Sequence, residues 1–163
     1  MFSLTLFRHL FDNKTDKRMD FTTWDKFEKL LYNVSEMPGY KPKPNDSRDK
    51  LKNATPLISP ATFKPNTTRK NDNVEEWGGW IALDVDDHKF TGNLEEELKT
   101  RFGKYQFVCY STSSSTKEHP KFRLVFPLTK RVPRENIKHF WHAVNAEIGE
   151  RADAQTKDLS RMY

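Results

Sequence analysis

The chain has 163 residues, enough for one domain with a real core, and no apolar run in it approaches the length needed to span a bilayer. Charged residues make up 31% and aromatic ones 13%, the composition of a soluble globular chain with polar insertions. The single cysteine, Cys109, excludes an internal disulfide and a multi-cysteine zinc cage, and within an apolar strand it is expected to be a small core residue.

The formal net charge of +5 is unevenly spread. Between Lys41 and Lys70 stand eight basic residues (Lys41, Lys43, Arg48, Lys50, Lys52, Lys64, Arg69 and Lys70) against two acidic ones, Asp46 and Asp49, so this stretch carries the whole excess. Such a segment suits a polyanion, and Lys64, Arg69 and Lys70 are candidate contacts to nucleic acid. The plain alternative is a solvated loop. Residues 1–9 lack the basic start and small-residue cleavage site of a signal peptide, so a cytosolic chain with no membrane partner is expected.

In chain order, Phe2, Leu4 and Leu6 alternate with Ser3 and Thr5, which predicts a strand over 2–8. Residues 12–20 are polar. Thr22 or Thr23 can cap a helix that carries Trp24, Phe27, Leu30 and Leu31 on one face and ends before Pro38-Gly39. Six of the nine prolines fall within residues 38–72, which predicts a long loop with one short strand near 56–59. Trp80-Ile81-Ala82-Leu83 followed by Asp84-Val85-Asp86 predicts a strand covered on both faces, whose C-terminal end leaves the core carrying acids. Asn93 and Glu96 have capping-box spacing ahead of Leu94, Leu98 and Phe102, with Gly103 as the stop. Residues 105–110 predict a second strand, closed by the hydroxyl run 111–116. Residues 121–126 predict a third, in which Arg123 faces opposite to Phe122 and Leu124. Pro133 opens a last helix with the stripe Ile137, Phe140, Trp141, Val144 and Ile148 before Gly149. Residues 159–163 predict the start of a fourth strand, and because a domain rarely ends inside an apolar strand, a fragment of a longer protein is expected.

From Trp80 onward the order is β-α-β-β-α-β, a split βαβ sheet as in RRM-like folds. The expected fold is α+β: an RRM-like catalytic sheet over 77–163, preceded by an N-terminal αβ unit and long basic loop over 1–76, together one domain of 1–163.

Asp84 and Asp86, two residues apart on a strand, point the same way. Two carboxylates held close repel unless a proton or metal intervenes, and hard Mg²⁺ or Mn²⁺ bound through carboxylates and substrate phosphates is a recurring solution. The plain alternative is a solvated acidic turn. On the metal reading the pair serves function and not the fold, so replacing either acid by Asn should cost little stability. With the first and third strands central, the strand ends bring Asp84, Asp86, the hydroxyl run, Arg123 and Asp158 over one face, a site for metal-assisted phosphoryl transfer. A glycosidase fits worse, because both acids sit on one strand face instead of flanking a sugar. His139 and His142 read as solvent-facing, His88 as turn surface or a neighbour of the acids, and Trp24, Trp80 and Trp141 as core.

Asp84-Val85-Asp86 after an apolar strand, Tyr110-Ser111-Thr112 leading to Phe122-Arg123-Leu124-Val125-Phe126-Pro127-Leu128, and then Asp158-Leu159-Ser160-Arg161 together resemble the archaeo-eukaryotic primase superfamily, in particular the primase-polymerases of phages and plasmids, over residues 77–163. The resemblance implies a template-directed nucleotidyltransferase, a DNA primase or polymerase, that acts in DNA replication on a single-stranded DNA template with nucleoside triphosphates. It further implies two Mg²⁺ or Mn²⁺ ions on Asp84, Asp86 and a later acid, matched by Asp158 and less closely by Asp153, and leaves room for a replicative helicase as partner. A Ser-x-His element contacts the triphosphate in that family. Here Ser115 stands eight residues before Arg123, where relatives carry the histidine, and His119 lies four residues further on. Ser113, Ser115 and Lys117 can instead hold phosphate beside Arg123 by hydroxyl, amide and ammonium contacts. Two other readings are a non-catalytic RRM-like module that binds single-stranded nucleic acid, and a rolling-circle initiator nuclease. The nuclease needs a His-x-His pair, which does not occur in this sequence.

Overall fold

The computed structural model describes residues 1–36, 47, 55–87, 92–149 and 151–163. Lys41, Lys43, Arg48, Lys50 and Lys52 of the basic stretch, with Asp46, Asp49 and His88, lie outside the described residues. The elements run β1 (Phe2–Phe7), β2 (Arg18–Phe21), α1 (Trp24–Glu36), β3 (Leu57–Ser59), β4 (Ala61–Phe63), β5 (Val74–Trp77), β6 (Trp80–Val85), α2 (Leu94–Phe102), β7 (Val108–Ser111), β8 (Phe122–Pro127), β9 (Val132–Pro133) and α3 (Ile137–Glu147). Single 3-10 turns lie at Asn71–Asn73, Arg134–Asn136 and Ala154–Lys157. This α+β chain gathers its described strands into three antiparallel sheets, ordered β2-β1-β3, β4-β5-β9 and β6-β8-β7.

β6 is apolar on both faces because two cores meet on it. Ile81, Leu83 and Val85 join a cluster with Leu98 and Phe102 of α2 and Trp141 of α3, while Trp80 and Ala82 join Leu4 of β1 and Trp24 and Phe27 of α1. A strand with one wet face would alternate with polar residues, and burial of both faces removes that alternation. All six residues of β6 are buried, Asp84 included. Both cores cross residue 76. Phe7, Phe63 and Val74 pack with Trp77 and its neighbours, so the N-terminal part covers β6 instead of standing apart from it.

The turn into β6 requires its two glycines. A Cβ on Gly78 would lie 2.3 Å from the Ser3 carbonyl oxygen, because Gly78 donates its N–H to Pro60 O and accepts from Ser3 N–H, both at 2.7 Å. Gly79 takes φ +86°, which a side chain would resist. Thr23 caps α1, its hydroxyl accepting from Lys26 N–H at 3.4 Å. Asn93 caps α2 by accepting from Glu95 N–H at 2.9 Å.

Four strands were not legible in the sequence. β2 lies in the polar stretch 12–20 and exists through pairing with β1, Phe2 opposite Phe21 and Leu4 opposite Met19. β4, β5 and β9 are short pieces that pair only with one another. The fourth strand expected over 159–163 does not form. Residues 159–160 turn, and Tyr163 exchanges backbone hydrogen bonds with Ile58, 2.8 Å each way. Two carbonyls of β6 are already satisfied by other means, Ala82 O by the Tyr163 hydroxyl and Asp84 O by Asp153 N–H, both at 2.8 Å, so they are not open to a further ladder. No helix among the described residues is long and apolar enough to cross a membrane.

Candidate functional site

Strand register builds the centre of the site. Asp84 on β6 stands opposite Arg123 on β8, which stands opposite Tyr110 on β7, so three polar side chains form a row across the sheet. Arg123 does point away from the core that holds Phe122 and Leu124. The face it enters is roofed over. Arg123 Nε donates to Asp84 Oδ1 at 2.6 Å and Nη1 to the Tyr110 hydroxyl at 3.1 Å. Its guanidinium lies over the rings of Tyr163 and Tyr110, 4.8 and 5.4 Å from their centroids. Burial works against the charge on Arg123, but Tyr110 and Asp84 outweigh it and hold the pKa above the ordinary arginine value.

Arg123 is therefore the counter-ion of Asp84, with two of its donor groups engaged inside the fold. For Asp84 this differs from the expectation that the acids serve function alone, whereas Asp86 has no buried partner. A carboxylate only 9% exposed with a guanidinium at 2.6 Å is a buried ion pair, and removing one partner alone would leave the other charge buried and uncompensated.

The other acids differ in placement. Asp86 lies just past β6, 45% exposed, with Lys121 Nζ 3.7 Å away. Asp153 comes in beside Asp84, donating its N–H to the Asp84 carbonyl at 2.8 Å. Arg161 Nη2 stands between these two carboxylates, 3.6 Å from Asp84 Oδ2 and 4.0 Å from Asp153 Oδ2. Arg161 Nη1 donates to Gln155 Oε1 at 2.9 Å, while its buried Nε has no partner among the described residues. Asp158, by contrast, serves a local turn: its Oδ1 accepts from Ser160 N–H at 3.1 Å and faces the Ser160 hydroxyl at 3.4 Å. Of the two later acids the sequence offers, Asp153 is the one joined to Asp84. The buried Tyr163 closes the row, its hydroxyl pushed up first by burial and then by Asp84, so it stays a neutral donor.

The hydroxyl run leaves β7 at Ser111, which pairs with Phe122, itself opposite Val85. It therefore lies at the same end of the sheet as Asp86. Ser115 closes this hairpin, accepting from Lys121 N–H at 2.9 Å and donating its own N–H to Thr112 O at 3.0 Å. Ser113, Lys117 and His119 are exposed on the loop, and His119 N–H donates to the Thr116 hydroxyl at 3.0 Å. Lys64 and Lys70 are exposed, and the Arg69 guanidinium lies 5.9 Å from the Phe7 ring centroid. His139 and His142 face solvent. Trp77 joins Trp24, Trp80 and Trp141 in the core, its Nε1 donating to Leu159 O at 3.0 Å. A concavity of about 280 Å³ lined by Leu128, Lys130, Val132, Pro133 and Phe140 contains none of the expected site residues.

Among the described residues no group of three or more His, Cys, Asp or Glu is arranged to hold a metal ion. The chemistry of the donors nonetheless suits a hard divalent ion, since Asp84, Asp86 and Asp153 offer only carboxylate oxygens. Arg161 stands where a cation between Asp84 and Asp153 would stand. Arg161, Tyr110 and Tyr163 had no assigned role in the sequence reading. Alternation along residues 108–110 signals the face of Tyr110, whereas the position of Arg161 depends on a turn with no sequence period.

Fold and site together define an α+β protein whose acids and guanidinium groups gather at the C-terminal end of one fully buried strand. A family model described as VapE N-terminal domain matches residues 11–163, and the chain belongs to that family. The family points to a replication-related protein of phage or plasmid type. Searches of curated proteins and of solved structures gave no match.

Proposed function

We propose that the chain is the nucleotidyltransferase domain of a DNA primase or primase-polymerase in phage or plasmid replication, built on an RRM-like unit and extending nucleotides along a single-stranded DNA template. The observation that carries this reading is the placing of Asp84 and Asp153 side by side at the end of β6 with Arg161 between their carboxylates, and Asp86 just past the same strand, in a chain of a replication-related family. These acids would hold Mg²⁺ or Mn²⁺, which when bound would neutralise the triphosphate and polarise the attacking oxygen. The remaining work belongs to the chain. Arg123 fixes the orientation of the Asp84 carboxylate, and the Asp153 amide ties the third acid to the strand. Arg161 is held more loosely than Arg123, so its fork is the one available to phosphate oxygens. Ser113, Lys117 and His119, exposed at the same end of the sheet, add hydroxyl and cationic contacts to the nucleotide.

A non-catalytic module for single-stranded nucleic acid is favoured by one observation: each of the three acids already faces a basic side chain. Calorimetric titration with Mn²⁺ in the presence of a non-hydrolysable nucleoside triphosphate separates the readings. The wild type binds Mn²⁺, Asp153→Asn weakens binding about tenfold or more, and Asp158→Asn changes it less than about twofold. No Mn²⁺ binding by the folded wild type would leave the non-catalytic module. Loss in Asp158→Asn with none in Asp153→Asn would overturn the choice of third acid.

A further inference from the structure

A single exposed aromatic side chain is ordinary at a protein surface. Phe11, 73% exposed, is distinguished by what surrounds it. The Asp12 carboxylate accepts from Arg8 N–H at 2.9 Å and Lys14 N–H at 3.1 Å, closing the loop that carries Phe11. The same loop is pinned to the segment 67–69. Lys14 bridges Thr68, the Thr15 hydroxyl donates to Thr67 O at 2.6 Å, and Arg69 N–H donates to Asn13 O at 2.9 Å. Phe11 thus stands on a loop ordered before any partner arrives, which lowers the entropic cost of binding through it.

The charges on these two segments are mostly basic. Arg8, Lys14 and Lys17 on the first segment and Lys64, Arg69 and Lys70 on the second form no salt bridge among the described residues. The Asp12 carboxylate is occupied by backbone amides, with Arg8 N–H the leading cause of its lowered pKa, and Asp72 is paired with Arg134. Asp16 is the remaining acid of the two segments. Near Asp84, by contrast, Arg123, Arg161 and Lys121 all face carboxylates. Arg69 Nε is also buried without a hydrogen-bond partner. An exposed ring on a loop whose cations, and those of the segment pinned to it, form no salt bridge among the described residues matches single-stranded nucleic acid, whose phosphates take the charges and whose unstacked bases take the ring, better than a duplex, which hides the faces of its bases.

We propose that Phe11 is a base-stacking platform for single-stranded DNA, with Arg8, Lys14, Lys64, Arg69 and Lys70 holding the flanking phosphates. The inference rests on the template half of the function proposed above and not on its chemistry. The surface is one polar step from the acids: Asn71 Oδ1 accepts from Ser160 N–H at 3.1 Å, and Ser160 directly precedes Arg161.

Anisotropy of a labelled oligo-dT with the full chain, in EDTA and over a salt series, tests it. Phe11→Ala weakens binding about tenfold with an unchanged salt slope, since a stack is lost and no phosphate contact is. Phe11→Trp restores affinity. Lys14→Gln with Lys64→Gln lowers the slope by about 1.4, since each phosphate contact on a single strand contributes about 0.7. Binding of a DNA duplex is the same for wild type and Phe11→Ala. An effect of Phe11→Ala below about twofold, or no oligo-dT binding by the wild type, overturns the proposal. EDTA removes divalent ions, so this outcome is independent of the Mn²⁺ titration that decides the chemistry.

Discussion

Asp84→Asn removes a charge from a carboxylate that is 9% exposed and 2.6 Å from Arg123 Nε. The amide oxygen of Asn can still accept that hydrogen bond, but Arg123 is left buried with no counter-charge, and Arg161 loses one of its two carboxylates. Breaking a buried pair from one side costs roughly 3–5 kcal/mol, and the retained hydrogen bond places this substitution near 3 kcal/mol. Asp86→Asn is the internal control. Its carboxylate is 45% exposed and 3.7 Å from Lys121, a surface pair worth about 0–1 kcal/mol. For a chain of this length the first should lower the melting temperature by about 6–12 °C and the second by no more than about 4 °C. All four tryptophans are buried, so their emission during urea unfolding in EDTA reports the global transition. Asp84→Leu combined with Arg123→Met should regain much of the loss, because no charge then stays buried alone. Equal midpoints for Asp84→Asn and Asp86→Asn would refute the reasoning.

Two further outcomes follow from single side chains. The Ser3 hydroxyl, against desolvation and with help from Arg18 and Arg131, holds the Asp20 carboxyl below its ordinary value of 3.8. A depressed carboxylate contributes stability above its unfolded pKa and loses it as pH falls through the folded one, so Asp20→Asn is less stable than wild type at pH 7 and the gap closes in acid. A gap that does not change with pH in urea titrations refutes this. Burial pushes the Cys109 thiol up to about 11, so iodoacetamide at pH 8 labels the native chain much more slowly than the urea-unfolded one. Equal labelling rates would contradict the burial.

β6 is legible in the sequence because it is constrained twice over: Trp80 and Ala82 serve one core and Ile81, Leu83 and Val85 the other, leaving a run with no polar break until the acids. α2 is legible from its Asn93 cap and apolar stripe, and α3 from its stripe alone, since it starts at Ile137 after a 3-10 turn and not at Pro133, with no side-chain cap. β2 is not, since the alternation of Arg18–Phe21 is only four residues long, follows a polar stretch, and gains its place from pairing with β1.

The sequence by itself determined the apolar strand with its two acids, the helices with their apolar stripes, and a basic segment with too few acids to neutralise it, because each depends on residues close together in the chain. Tertiary structure alone decided that Arg123 neutralises Asp84, that Asp153 and not Asp158 stands beside it, and that the loop after Phe11 is pinned to the segment 67–69. Those facts rest on strand register and on hydrogen bonds between residues as far apart as Asn13 and Arg69, and such pairings have no sequence period to announce them.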